Sequence, residues 1–204
     1  MLPEPLLRFL RLPLGFLWRT FLKMRYHGTE HIPQTGGLII AANHQTYVDP
    51  FWLSIPVKRP LRYLAWDEAF DWPLVGKLLG LFGAWPLQIE RSDPAAIRRT
   101  LQWLKEGGAV VIFPEGARAP ASGQLDRFKA GAVRLALEAE VPILPVTIRG
   151  GNKVWPRGKY IPRLAEVEIV YHPLFQVEQQ ADEEPRKCAR RESERLAQVI
   201  RSAL

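Results

Sequence analysis

The segment Asn43-His44-Gln45-Thr46-Tyr47-Val48-Asp49 holds the first residues whose types and spacing could do chemistry. His44 and Asp49 are five positions apart, which puts them on different faces of a continuous helix. A turn between a strand and a helix would instead let Asp49 fold back towards His44. A carboxylate on one imidazole nitrogen fixes the tautomer and leaves the other nitrogen free as a base. No Ser or Cys stands out as a nucleophile beside the pair, and no Gly-x-Ser-x-Gly elbow occurs. His44 would then activate a hydroxyl of the substrate itself. The competing reading is a surface histidine next to a helix cap. His44 and Asp49 lack further ligands at metal spacing, so no metal site is expected.

A second group is Phe113-Pro114-Glu115-Gly116-Ala117-Arg118. Its Pro and Gly force a turn that exposes Glu115 and Arg118. Arg offers planar, bidentate donors to a phosphate, and Glu115 could accept a hydrogen bond from a substrate hydroxyl. A loop salt bridge is the plainer alternative.

Both groups follow apolar runs of strand type, Leu38 to Ala42 and Ala109 to Phe113, where strand ends present residues to a crevice. Pro50 to Ile55 reads as a helix start, with Asp49 as a possible N-cap and Pro50 at the first helical position. Leu61 to Ala65 and Trp85 to Ile89 read as strands. Ser92-Asp93-Pro94 opens a helix that Gly107-Gly108 ends. Arg127 to Glu140 reads as a helix and Val141 to Ile148 as a core strand. Pro142 and Pro145 point to a constrained or edge position for that strand. Val167, Ile169 and Tyr171 alternate with polar residues as in a half-exposed strand, and Pro185 to Leu204 reads as a charged helix. Strands and helices alternating at these lengths predict an α/β fold, a single domain with a mixed, mostly parallel sheet flanked by helices.

Residues 5–25 differ. On a helical wheel Leu6, Leu7, Leu10, Leu14, Leu17, Trp18 and Phe21 share one arc. Arg8, Arg11, Arg19 and Lys23 lie opposite, with Phe9, Leu12 and Phe16 flanking them. Pro13 is expected to kink or split the helix. An aromatic-bearing apolar arc opposite a basic face predicts an amphipathic membrane-interface helix over 1–25, ahead of a folded domain over 26–204. A core helix is the alternative. No run reaches the roughly 18 apolar residues that span a bilayer, and neither a signal peptide nor a transmembrane helix is expected.

The 204 residues suit one domain with a real core, and an apolar share of 47% with 24% charged residues is ordinary for a globular chain. The net charge of +7 attracts phosphates without choosing among them. No basic-aromatic RNA motif, zinc-finger spacing or helix-turn-helix pattern occurs, so no nucleic-acid partner is expected. The single cysteine, Cys188, cannot form an intrachain disulfide. The basic segment 149–163, with Trp155 and Tyr160, could touch lipid head groups or coenzyme A phosphates, or be a solvated loop.

Taken in order, these motifs resemble the glycerolipid acyltransferase family over about residues 25–175. Asn43, His44 and Asp49 match its Asn-His-x4-Asp motif. Gly83 to Arg91 matches a Gly-led strand ending in Arg. Phe113 to Arg118 matches Phe-Pro-Glu-Gly-Thr-Arg except at Ala117. Val141, Pro142, Ile143, Pro145 and Val146 match Val-Pro-Ile-x-Pro-Val. Ala117 removes a hydroxyl, and the Gly83-to-Arg91 piece is longer than the commonest form.

The resemblance implies an O-acyltransferase of phospholipid biosynthesis. It would move a fatty acyl chain from acyl-CoA or acyl-carrier protein to a lysophospholipid hydroxyl, with lysophosphatidic acid giving phosphatidic acid as the leading case. His44 would be the base and Asp49 its partner. Glu115 would position the glycerol portion, with Gly116 in the same turn. Arg118, Arg91 and Lys129 would hold the phosphate, Lys129 at the start of a helix whose N–H groups favour anions. No cofactor is implied beyond the thioester co-substrate. The expected location is monotopic, on the cytoplasmic face of an anionic membrane. Two alternatives stand: the same chemistry on another lysolipid, or a non-catalytic membrane- or anion-binding module on this fold. Acceptor head group, acyl length, donor carrier, oxyanion stabiliser and oligomeric state are not legible in the sequence.

Overall fold

The structure is a computed structural model that describes residues 20–71, 75–88, 93–159 and 161–204, together with 6, 9, 13, 16 and 18. Its strands are β1 (Arg25–His27), β2 (Leu38–Ala42), β3 (Leu61–Trp66), β4 (Ala84–Leu87), β5 (Ala109–Ile112), β6 (Ile143–Arg149) and β7 (Glu168–Tyr171). Its helices are α1 (Asp49–Ser54), α2 (Val75–Leu81), α3 (Pro94–Lys105), α4 (Gly131–Ala139), α5 (Gly151–Val154) and α6 (Pro185–Arg201). The seven strands form one sheet in the order β1-β7-β6-β2-β5-β3-β4. Every neighbouring pair is parallel except β6 with β7. This is the α/β class with a mixed, mostly parallel sheet that the alternation of elements predicts.

The side-chain period of two sorts β2 between two cores. Leu38, Ile40 and Ala42 face a layer that includes Trp52, Leu53, Val146, Ile148 and Tyr171. Ile39 and Ala41 face the opposite layer, built with Leu104, Val110, Val133, Leu196 and Ile200. Helices α3, α4 and α6 cover the second face. Helix α1, Val154 of α5 and the partly buried Trp18 cover the first. A strand buried on both faces reads as an unbroken apolar run, as Leu38 to Ala42 does.

Several boundaries depart from the sequence reading. Helix α4 begins at Gly131, not near Arg127, because residues 127–130 run extended enough for the Lys129 N–H to reach the Pro114 carbonyl (2.8 Å). Strand β6 is interior rather than at an edge. Pro145 is tolerated there because its missing N–H would face β7, which leaves the ladder after Tyr171 and rejoins only as a bridge from Ile143 to Phe175. Asp49 is the first residue of α1, with Val48 as N-cap, and its carboxylate turns back instead of capping the helix. Arg25, the last residue of the predicted N-terminal segment, opens β1.

Most of that segment's apolar arc (Leu7, Leu10, Leu14, Leu17) and three of its basic residues (Arg8, Arg11, Arg19) lie outside the described residues, so the amphipathic pattern does too. Of the described ones, Trp18 sets its ring edge-on to the core Trp52 at 5.4 Å, whereas Phe9, Phe16 and Phe21 are exposed.

Candidate active site

The neighbours of β2 are β6 and β5, both parallel to it, so the three C-terminal ends meet at one edge of the sheet. Asn43-His44, Phe113-Pro114-Glu115 and the end of β6 are therefore brought together by strand order alone. Asn43 locks the first loop to β6. Its side-chain amide donates to the Ile148 carbonyl (2.8 Å), and its Oδ1 accepts from the Ile148 N–H (2.7 Å).

The chain then turns sharply enough for Asp49 to reach back. Its Oδ2 accepts from His44 Nδ1 (2.9 Å) and from the backbone N–H groups of Gln45 (2.6 Å) and Thr46 (2.8 Å). Its Oδ1 accepts from the Thr46 hydroxyl (2.6 Å). Asp49 is wholly buried, and a buried carboxylate is tolerable when donors surround it as here. A carboxylate only accepts, so Nδ1 carries the proton and Nε2 is the basic nitrogen. The imidazole stacks on Phe113 with centroids 4.1 Å apart and stays partly open to solvent, its side chain 19% exposed. The contact of His44 with Asp49 is the turn-borne arrangement that the sequence offers beside the reading of a surface histidine next to a helix cap. The clamp of Phe113 was hidden in the second motif.

Glu115 is buried and does not extend freely into the crevice. Its Oε1 accepts from the backbone N–H of His44 (2.7 Å) and its Oε2 from that of Asp126 (2.8 Å). Burial pushes its carboxyl above the usual range, against the pull of those two donors. The Ala119 N–H closes the same contact by donating to the His44 carbonyl (2.7 Å). Gly116 sits at φ 73, where a Cβ would be strained and would lie 2.6 Å from Lys129 Nζ. The Lys129 side chain thus lies over Gly116, two residues ahead of α4. Its outer side helps line a cleft of about 530 Å³ with Glu115, Asp126, Arg127, Arg190 and Glu194.

Arg118 stands on the other flank, its guanidinium 3.5 Å over the Tyr47 ring. Tyr47 in turn meets Trp155 edge-on at 6.0 Å. The sequence marks Arg118 but gives no sign of the ring beneath it, since Tyr47 reads there as a motif spacer. Gln45 accepts from the Asn152 N–H (3.2 Å), tying α5 to the same turn. Arg91, the remaining predicted phosphate ligand, lies outside the described residues. Among the described residues no three His, Cys, Asp or Glu gather as a metal site. The arrangement offers an oriented base, a water-accessible crevice and cations on either side, which suits proton removal from a hydroxyl on a phosphate-bearing molecule.

The profile of a family described as Acyltransferase matches residues 23–149. The 1-acyl-sn-glycerol-3-phosphate acyltransferase of Pseudomonas aeruginosa is 32% identical over 170 residues, covering 80% of this chain and 64% of that protein. The protein of the same name from Borreliella burgdorferi is 30% identical over 190 residues, 92% of this chain and 72% of its own length. The chloroplastic BAT2 of Brassica napus is 29% identical over 162 residues. The chain spans 46% of the Brassica protein's length. The crystal structure of the LPA acyltransferase PlsC from Thermotoga maritima shares the fold. Its TM-score is 0.76 over 98% of this chain and 79% of that one, at 23% identity.

Proposed function

We propose that this chain, which belongs to the acyltransferase family, moves a fatty acyl group from a thioester to the free hydroxyl of a lysophospholipid. Lysophosphatidic acid is the acceptor we assign, and acyl-CoA or acyl-carrier protein the donor. The observation that carries the reading is the His44–Asp49 pair, which leaves Nε2 as the basic nitrogen of a partly exposed imidazole. A module that only binds anions has no use for a base so oriented.

In this reading His44 Nε2 takes the proton of the acceptor hydroxyl as its oxygen attacks the thioester carbonyl carbon. Asp49 stabilises the imidazolium that forms. The tetrahedral intermediate collapses, the carbon–sulfur bond breaks, and the departing thiolate takes the proton back from His44. No acyl-enzyme is needed. Arg118 and Lys129, with Arg91, hold the head-group phosphate by charge-assisted hydrogen bonds. Glu115 is held by two backbone donors and keeps lone pairs for the glycerol portion. Gly116 leaves room for Lys129. The acceptor lies in a membrane, so the chain works as a monotopic enzyme on the cytoplasmic face of an anionic bilayer. No helix among the described residues is long and apolar enough to cross one.

The test is incubation with labelled acyl-CoA and, separately, acyl-carrier protein, against a panel of lysolipids with lipid mass spectrometry. Phosphatidic acid should form, and His44→Ala should lower turnover by about 10²- to 10⁴-fold while the protein stays folded. Near-normal turnover by folded His44→Ala would sink the mechanism.

A further inference from the structure

Between α5 and β7 the described residues of segment 155–167 form neither helix nor strand, and two of their aliphatic side chains project into water. Ile161 is 78% exposed and Leu164 76%, the highest values among the exposed large hydrophobic residues described. Around them Lys153, Arg157, Lys159 and Arg163 are exposed, and no Asp or Glu occurs from 153 to 163. None of the four cations pairs with a carboxylate of the described residues.

This segment is built into the molecule at both ends. Arg163 N–H donates to the Val154 carbonyl (2.7 Å). Arg157 Nη1 donates to the Arg118 carbonyl (3.2 Å), and Trp155 meets Tyr47 under Arg118. At its far end the Val167 N–H donates to the Leu22 carbonyl (3.2 Å), and the Val167 carbonyl accepts from Arg25 (3.0 Å). Glu166 pairs with Lys23 (3.3 Å) and Arg25 (3.2 Å). The segment therefore runs from the rim of the candidate site to the stretch that carries the exposed Phe16 and Phe21.

Isolated aliphatic tips gain nothing from a phosphate-rich partner such as nucleic acid, and unpaired cations gain nothing from an apolar one. A bilayer interface with anionic lipid answers both, with hydrocarbon for the tips and phosphates for the cations. We propose that residues 156–159 and 161–165 form a second membrane-contact element, distinct from the N-terminal segment. Ile161 and Leu164 enter the surface of an anionic bilayer, and Arg157, Lys159 and Arg163 lie at its phosphates. The element seats the membrane against the Arg118 rim. The inference rests on the acyltransferase reading for its purpose, although docking itself is measured without turnover.

The test uses the full chain with Ile161→Ser and Leu164→Ser together, which removes apolar surface without changing charge. Co-sedimentation with vesicles of phosphatidylcholine and phosphatidylglycerol should show partitioning weakened about tenfold or more. The thermal midpoint should be unchanged, as should turnover of a short-chain lysolipid dissolved as monomers. A Leu164→Cys protein labelled with an environment-sensitive dye should shift to the blue on the same vesicles. The buried Cys188 leaves that label selective. Unchanged vesicle binding by the double variant, or no dye shift, overturns the proposal. So does a change confined to self-association, which would make the patch a contact between copies of the chain. If the native protein acylates no acceptor, the activity reading falls, and the vesicle comparison still decides this one.

Discussion

Replacing Asp49 by Asn separates the two things a buried carboxylate does for His44. Three donors converge on Oδ2, from His44 Nδ1, Gln45 N and Thr46 N, and one on Oδ1, from the Thr46 hydroxyl. An amide has one oxygen to offer. Placed at Oδ2 it keeps all three N–H bonds, and the Thr46 hydroxyl can rotate to accept from the new NH2. Placed the other way, NH2 would face two backbone N–H groups. The first orientation wins, so the tautomer of His44 survives and only the negative charge is lost. A hydrogen bond to a charged group is worth about 1.5–3 kcal/mol, so losing the charge beside the imidazolium lowers kcat about 10- to 150-fold. KM should hardly move, because Asp49 is wholly buried. Asp49→Ala is the harsher variant, since it orphans three N–H groups at about 1–3 kcal/mol each and should lower the thermal midpoint as well. The assay is steady-state transfer from a labelled thioester, with thermal unfolding in parallel. A folded Asp49→Asn enzyme with normal kcat, or with its defect confined to KM, refutes the role assigned to the carboxylate.

Arg118→Ala should raise KM for a phosphorylated acceptor about 10- to 150-fold and leave KM for the donor near normal. Steady-state kinetics with each substrate varied separately checks this, and equal weakening for both contradicts the assignment. Burial, with repulsion from His31 added, holds the His172 imidazole below the usual histidine range. The folded chain thus refuses a proton that the unfolded chain accepts below about pH 6.5, so this contribution is present at neutral pH and lost as pH falls. Compared with His172→Gln, the native protein's thermal midpoint should drop more steeply between about pH 7 and about pH 5, and parallel curves would show that His172 is not the cause.

How much was legible depended on whether a signal was local. The strand-turn-helix around His44 was readable because Leu38 to Ala42 is unbrokenly apolar and Pro50 marks a helix start. The return of Asp49 to His44 depends on the turn between β2 and α1, since five positions along a continuous helix would part them. The start of α4 was misplaced because the residues from Arg127 are good helix formers. What stops them is the Lys129 N–H bond to Pro114, a contact across 15 positions of sequence. Pro145 read as an edge marker because the break in β7 that excuses it lies on another strand. A helical wheel could not separate Trp18, which packs on Trp52, from Phe21, which shares its arc and stands in water, because the difference is made by what lies opposite. Phe113 and Tyr47 looked like scaffolding within their motifs. Each turns out to be a platform, one for the base and one for the cation.

That last point explains why motifs far apart in sequence act as one object. The His44 main chain is gripped on both sides by the second motif's loop: its N–H by Glu115 and its carbonyl by the Ala119 N–H, both at 2.7 Å. Its side chain is gripped by Asp49 and clamped by Phe113. The preceding residue, Asn43, is pinned to β6. A base must sit within a few tenths of an ångström of its proton to be useful, and rotamer entropy works against that. Here the constraint is distributed over three strand ends that parallel pairing already holds in register. Glu115 is the link that cannot be supplied locally. It reaches from the β5 loop to two backbone donors, at His44 and Asp126, and so fixes the base and the approach to α4 relative to each other. Its burial raises its proton affinity, and the two N–H donors resist that. The carboxylate is thereby spent on geometry as much as on charge, and the backbone of the loop from Glu115 to Lys129 is tied to His44 and to Pro114.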